Sequence, residues 1–184
     1  LPPEQVPVDI HIGEQEASLR NGLIEARVTA AGRLGFYHAV TGAELLREEM
    51  TYFARAPQRW FKSLGSDLHR LEVRFQAYPG ERLYGLGQQQ HGKLDQKGCV
   101  IDLFQHNTEV SIPFLLSSRG YGLFWNNPAV GRVELGENQT RWVAEAVRQM
   151  DYWITAADSP AQIIQNYTRS TGRAPEFPEW AAGF

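Results

Sequence analysis

The chain has little sulfur: one cysteine, Cys99, and two methionines in 184 residues. A single thiol closes no internal disulfide, so the fold does not depend on an oxidising compartment, and secretion stays open. An excess of charge of either sign is also missing. Eighteen Lys and Arg against 21 Asp and Glu leave a formal net charge of −3, with no basic run. Nucleic acid and anionic membrane find no electrostatic footprint, and both are excluded as partners. No apolar run approaches the length of a membrane span, and the first residues lack the basic-then-apolar order of a signal peptide. Leu1-Pro2-Pro3 stands where a Met would, as in a processed or trimmed chain. Compartment is left undetermined between cytoplasmic and periplasmic or secreted. There is no internal repeat and no low-complexity segment.

What is present favours strands. Seventeen Gly, ten Pro, five Trp, seven Tyr and nine Phe in a chain with 42% hydrophobic and 21% charged residues suit short strands and turns around one sizeable core. Ile24, Ala26 and Val28 alternate with Glu25, Arg27 and Thr29, and Ala31-Gly32-Arg33 turns the chain into Leu34–His38 as a hairpin. Leu71, Val73 and Phe75 alternate in the same way up to the Tyr78-Pro79-Gly80 turn, with another strand after it. The pattern recurs at Val110–Leu116, Tyr121–Trp125, Val133/Leu135, Arg141–Val143 and Met150–Ile154. Pro113 cannot donate to a ladder, so its strand should be an edge or carry a bulge there. The expectation is an all-β, two-sheet antiparallel sandwich with one C-terminal helix. That helix runs from Pro160 to Thr171: Ser159 caps it, Pro160 suits its first position, Gln162 completes a capping box, and Ile163, Ile164 and Tyr167 form its apolar stripe. Gly172, Pro175 and Pro178 end it, and Trp180–Phe184 reads as a small, aromatic strand.

Candidate chemistry is thin. Tyr84-Gly-Leu-Gly-Gln-Gln-Gln-His-Gly92 is Gly-rich, but no Lys-Ser/Thr pair opens a helix after it and the dinucleotide spacing is absent; Gly85 and Gly87 fit better as a bend or a close backbone approach. Glu81, Asp95, Asp102 and Glu109 offer carboxylates, more simply read as solvated strand flanks than as a catalytic pair. His106 and Glu109 have metal-ligand spacing without a third ligand, so no metal and no cofactor is expected. No Gly-x-Ser-x-Gly elbow exists, and Cys99 beside Val100, Ile101 and Leu103 reads as an inert buried thiol. Sequons at Asn138-Gln139-Thr140 and, within the helix, Asn166-Tyr167-Thr168 arise by chance often enough to place nothing. What remains is a polar and aromatic concentration in loops, Gln88–His91, Gln96 and Phe104–Asn107. It suits a neutral carbohydrate and suits solubility about equally.

Leu71–Gly87, with its Tyr-Pro-Gly-Glu-Arg-Leu-Tyr-Gly-Leu-Gly stretch, then Ile112-Pro-Phe, Ser118–Phe124, Asp151-Tyr-Trp and Pro178-Glu-Trp-Ala-Ala-Gly-Phe184, resemble in order the N-terminal β-sandwich of glycoside hydrolase family 31. Gly87-Gln-Gln-Gln-His-Gly-Lys-Leu-Asp-Gln-Lys-Gly98 is most similar to α-xylosidase-type members; many relatives carry Glu in place of Gln88. The resemblance implies a galactose-mutarotase-like sandwich over 1–172, with 173–184 as a linker into a (β/α)₈ barrel starting near Trp180. The family's retaining catalysis uses two Asp residues on that barrel, so no catalytic residue maps onto this chain. The chain alone should be inactive; the parent should hydrolyse terminal α-linked sugars of oligosaccharides, with the chain's own C-terminal barrel as its partner. The family's sandwich lends a loop to the rim of the sugar pocket. By position the loop is Phe104–Glu109, which makes Phe104, Gln105, His106 and Asn107 the expected substrate-binding residues. Two rival readings are a free-standing carbohydrate-binding module and a mutarotase or epimerase, the latter needing a His with a carboxylate partner, for which His91 or His106 with Glu109 is the candidate set.

Overall fold

The structure, a computed structural model, describes residues 7–49, 57–181 and 183. Its first five strands are β1 (Val8–Ile12), β2 (Glu16–Asn21), β3 (Ile24–Thr29), β4 (Leu34–His38) and β5 (Glu44–Arg47), an antiparallel meander in sequence order. Next come β6 (Arg59–Gly65), β7 (Leu68–Gln76), β8 (Leu83–Gln88), β9 (Val100–Leu103) and β10 (Val110–Ser117). The last strands are β11 (Tyr121–Trp125), β12 (Gly131–Leu135), β13 (Gln139–Val147) and β14 (Tyr152–Ala156), followed by helix α1 (Pro160–Thr171). A second sheet has the order β6-β7-β13-β12-β9 and a third β14-β11-β10-β8. The first and second are joined by a bridge between Glu48 and Phe75.

One core serves all three sheets. Phe36 and Leu46 of the first, Val73, Phe75 and Trp142 of the second, and Leu115, Leu123 and Trp125 of the third belong to a single buried cluster. Its aromatic centre is Trp125 against Trp142, with ring centroids 5.6 Å apart, and Tyr152 edge-on to Phe75 at 5.7 Å. A smaller cluster covers the other face of the third sheet. There Ile163 of α1 is buried on Phe114 and Leu116, and Tyr167 stacks on Phe114 at 4.1 Å. Sandwich and helix are therefore as expected. The Ser159 cap holds too, accepting from the Gln162 amide at 3.4 Å, but the Gln162 side chain meets the Ser159 hydroxyl instead of reaching the Ser159 backbone. Glu179–Ala181 make one 3₁₀ turn in place of the expected strand start, with Trp180 82% exposed; Phe184 lies outside the described residues.

Strand β7 departs from simple inside-outside alternation. Its outward Glu72 and Arg74 are buried along with its inward residues, because they sit in an ion-pair lattice with Arg70 and Arg141. Arg74 and Arg141 are direct cross-strand partners. Two cations in that position repel, and the arrangement persists because Glu72 lies against both while Glu134 accepts from Arg141 Nε at 2.8 Å. Burial pushes the Glu72 carboxyl up, yet Arg70, Arg141 and Arg74 outweigh it and hold the group below its ordinary value; Glu134 is held low by Arg141 above all. A carboxylate depressed in the folded state contributes stability that is complete above the unfolded-state pKa and is lost as pH falls through the folded one. Urea midpoints should thus be flat from neutral pH to about 4.5 and fall below it. Glu72→Gln should lose about 2 kcal/mol at pH 7 and show a shallower acid limb. Superimposable acid limbs would show that Glu72 is not linked to folding.

Candidate functional site at one end of the sandwich

Strand β8 ends in an unusual backbone. Gly85, Leu86 and Gly87 have φ of 100°, 65° and 89° in succession. For the two glycines the reason is proximity: a Cβ on Gly85 would lie 2.5 Å from the Phe114 carbonyl oxygen, and one on Gly87 1.9 Å from that of Val110. Leu86 tolerates the left-handed region because its side chain is fully buried in the core. Opposite this bend the register of β10 slips between Ser111 and Leu115, a bulge that absorbs Pro113 and its missing N–H. Since β10 is an interior strand, the bulge and not an edge accommodates the proline.

The bend and the bulge bring two polar loops together. Gln88 pairs directly with Val110, so the loop that follows β8 and the loop that precedes β10 leave the same end of the sandwich. In the first loop, Asp95 Oδ1 accepts from the Leu83 and Lys97 amides at 3.0 and 3.1 Å. Burial raises the Asp95 carboxyl, and these two amides overcome that and hold it low. His91 Nδ1 accepts from the Lys93 amide at 3.1 Å, Gln89 Nε2 donates to the Leu86 carbonyl at 3.0 Å, and Gln96 Nε2 donates to the Lys93 carbonyl at 2.9 Å.

The second loop contains the four residues expected to touch substrate. Phe104 and His106 place their rings 3.8 Å apart at 46°. Gln105 is occupied within the loop: its Nε2 donates to the Glu109 carbonyl and its Oε1 accepts from the Ser111 amide at 3.2 Å, which closes the turn around Thr108 at φ 79°. His106 and Asn107 are exposed, and among the described residues neither side chain has a hydrogen-bond partner. Thus Gln105 shapes the loop, and His106 and Asn107 are the groups with hydrogen-bonding capacity to offer.

The carboxylates expected to be solvated divide. Asp102 is exposed, but Glu81 is buried and accepts from Ser117 Oγ at 2.6 Å and Tyr121 Oη at 2.9 Å. Burial, then the Glu81 charge, pushes the Tyr121 phenol well above its ordinary value. Both hydroxyls are buried and both bond the same oxygen, Oε1, which makes this a structural network between the turn and the third sheet. Cys99, expected to be buried, is half-buried against the core edge. No group of three potential metal ligands exists among the described residues. The His–carboxylate pair that sequence reasoning missed is His38 Nε2 with Asp158 Oδ1 at 3.3 Å. His38 Nδ1 accepts from the Val40 and Thr41 amides, so Nε2 carries the proton, and the pair ties the approach to α1 onto the first sheet. It borders no polar loop of the candidate end. A large groove of about 1740 Å³ between β2–β4 and the β14–α1 edge is lined by core-facing residues such as Ile24, Phe36 and Ile154 and by polar α1 side chains such as Gln162 and Arg169.

In class the domain is an antiparallel β-sandwich with one helix and a polar loop cluster at one end. The matching family model is described as the glycosyl hydrolase 31 N-terminal galactose mutarotase-like domain and covers residues 2–134. The chain belongs to that family. It is 40% identical over 202 aligned residues to an uncharacterized family 31 glucosidase, ORF2, of Pseudescherichia vulneris, covering all of this chain and 38% of that protein. It is 35% identical to alpha-xylosidase A of Aspergillus niger, covering 94% of this chain and 25% of that one. Among solved structures, a family 31 alpha-xylosidase from a soil metagenome, complexed with xylose, superimposes with a TM-score of 0.89 at 41% identity, over 96% of this chain and 28% of that chain. The chain thus spans about a quarter to two fifths of the length of these relatives.

Proposed function

We propose that this chain is the non-catalytic N-terminal sandwich of a retaining α-glycosidase of α-xylosidase type, which releases terminal α-linked sugars from oligosaccharides. The observation that carries the reading is the likeness, along nearly the whole chain, to an α-xylosidase structure holding xylose. Residues 173–184 then serve as the link to the barrel, which agrees with the 80% and 82% exposure of Phe177 and Trp180. The Phe104–Glu109 loop stands at the rim of the sugar pocket, where it positions substrate and excludes water and transfers no proton. A mutarotase reading fares worse, because among the described residues neither His91 nor His106 meets a carboxylate.

The purified chain should therefore give no turnover of aryl α-xylosides or α-glucosides. In the protein extended through its barrel, His106→Ala or Asn107→Ala removes one or two hydrogen bonds to hydroxyls. The kcat/KM should fall by a factor on the order of ten to a few hundred while the Tm stays within a degree or two. Unchanged kinetics in both variants would mean the loop does not reach the substrate.

A further inference from the structure

Gln96 holds an unmet hydrogen-bond acceptor beside a cavity. The residue is 5% exposed, and its Nε2 is committed to the Lys93 carbonyl, which identifies the other end of the amide as the oxygen. That Oε1 is screened from solvent and has no donor among the described residues. Buried acceptors in native proteins are nearly always satisfied, so an orphan of this kind marks a place where a donor arrives. Gln96 lines a cavity of about 340 Å³ together with Gly87, Gln88, Gln89, Lys93 and Leu94. Gln89 is pinned in the same manner, Nε2 to the Leu86 carbonyl, which leaves its oxygen as a second acceptor.

The lining chooses among ligand classes. It contains no carboxylate to hold a cation, and its one ammonium, Lys93, disfavours one. A lone Lys among amides does not make a cage for an anion either. Two amide oxygens, spare amide donors and the aliphatic Leu94 fit a neutral molecule with hydroxyls along its edge and C–H groups on its face, which is a sugar ring. We propose that this cavity binds one neutral sugar ring through Gln96 and Gln89, as a subsite separate from His106 and Asn107. Lys93 and Leu94, which line the cavity beside Gln96, are both exposed. Because Gln88 pairs with Val110, cavity and rim loop share one end of the sandwich, so the two would hold different residues of one oligosaccharide. The proposal rests on the α-glycosidase reading for the choice of sugar.

The test is a titration of the ¹⁵N-labelled chain with xylose. Saturable shifts are expected at the amides of Gly87, Gln89 and Lys93 and at the Gln96 side-chain amide, with a Kd on the order of millimolar. Gln96→Met should weaken binding at least tenfold. Should that variant fail to fold, Gln89→Leu and the exposed Leu94→Ala carry the same comparison, with expected losses of severalfold. Absence of shifts in these residues up to about 100 mM xylose, shifts confined to 104–107, or a Kd indifferent to the substitutions would each overturn the subsite. The rim reading is judged by kcat/KM of the His106 and Asn107 variants in the longer protein, so either can fail alone.

Discussion

Replacing Gly87 by Ala is expected to cost the domain on the order of 3 kcal/mol or more, enough to leave much of it unfolded at 37 °C. Two penalties coincide at this position. The φ of 89° is one that a side chain resists, and the new methyl would sit 1.9 Å from the Val110 carbonyl oxygen and 2.8 Å from the Ile112 amide nitrogen. Neither neighbour is the end of a flexible side chain. Both are backbone of the adjacent strand, so β8 and β10 must separate, and the residues carried away with β10 are those that follow the Phe104–Glu109 loop. Gly92 supplies the control. Its φ of 71° is similarly left-handed, but nothing lies within 4 Å of the position its Cβ would take. Gly92→Ala should therefore cost only about 1 kcal/mol, the conformational part alone. The two variants are compared by urea midpoints and by the fold of the surviving population in ¹⁵N spectra. Equal losses at the two positions would show that the strand contact is looser than the structure has it.

That difference between Gly87 and Gly92 also marks where sequence reasoning stops. The glycine stretch from 85 to 92 suggests a bend or a close approach, and both glycines of β8 make one, with Phe114 and Val110. Which backbone is approached was not legible, because the partner lies more than twenty residues along the chain. Strands with clean alternation, Ile24–Val28 and Leu71–Phe75, were readable, as was the helix with its Ser159-Pro160 start. Strand β5 was not: Glu-Leu-Leu-Arg buries two adjacent leucines and has no period-2 signal, since both its faces are covered. Strand β6, Arg-Trp-Phe-Lys-Ser-Leu-Gly, is mostly exposed and mixes polar and aromatic residues without order. Glu81 escaped for a related reason. A carboxylate beside a turn is ordinarily solvated, and its burial here depends on hydroxyls 36 and 40 residues away. For the candidate site, position in the family's order located the Phe104–Asn107 loop. The division of labour inside it, with Gln105 closing the turn and His106 and Asn107 left unpaired, follows from hydrogen bonds that composition does not encode.

Glu48 should prove the most sensitive side chain outside the aromatic core. It is fully buried, within a Leu-Leu-Arg-Glu-Glu stretch that reads as surface, and it holds the three sheets at one point. Its Oε2 accepts from the Leu34 amide of the first sheet at 3.0 Å and from Arg59 Nη2 of the second at 2.9 Å. Oε1 is 2.8 Å from Arg59 Nε and takes the Tyr152 phenol of the third at 3.4 Å. Burial, then the Glu48 charge, pushes that phenol far above its ordinary value. Removing the carboxylate leaves Arg59 without its counter-ion and two half-buried donors, the Leu34 amide and the Tyr152 hydroxyl, without this acceptor. Glu48→Ala is accordingly expected to lose about 3–5 kcal/mol. Glu48→Gln preserves shape and one acceptor oxygen but not the charge, and should lose about 2 kcal/mol. The informative comparison is the double variant Glu48→Leu/Arg59→Met, in which both charges give way to apolar groups of similar volume. It should recover part of the stability lost in Glu48→Ala, because it removes the unpaired Arg59 cation, whose side chain is 37% exposed, while the Leu34 amide and the Tyr152 hydroxyl still lack an acceptor. Chemical denaturation of the four proteins measures this directly. A loss under 1 kcal/mol in Glu48→Ala would mean that the sheets are held by the Trp125–Trp142–Tyr152 packing alone, with the carboxylate a passenger at the seam.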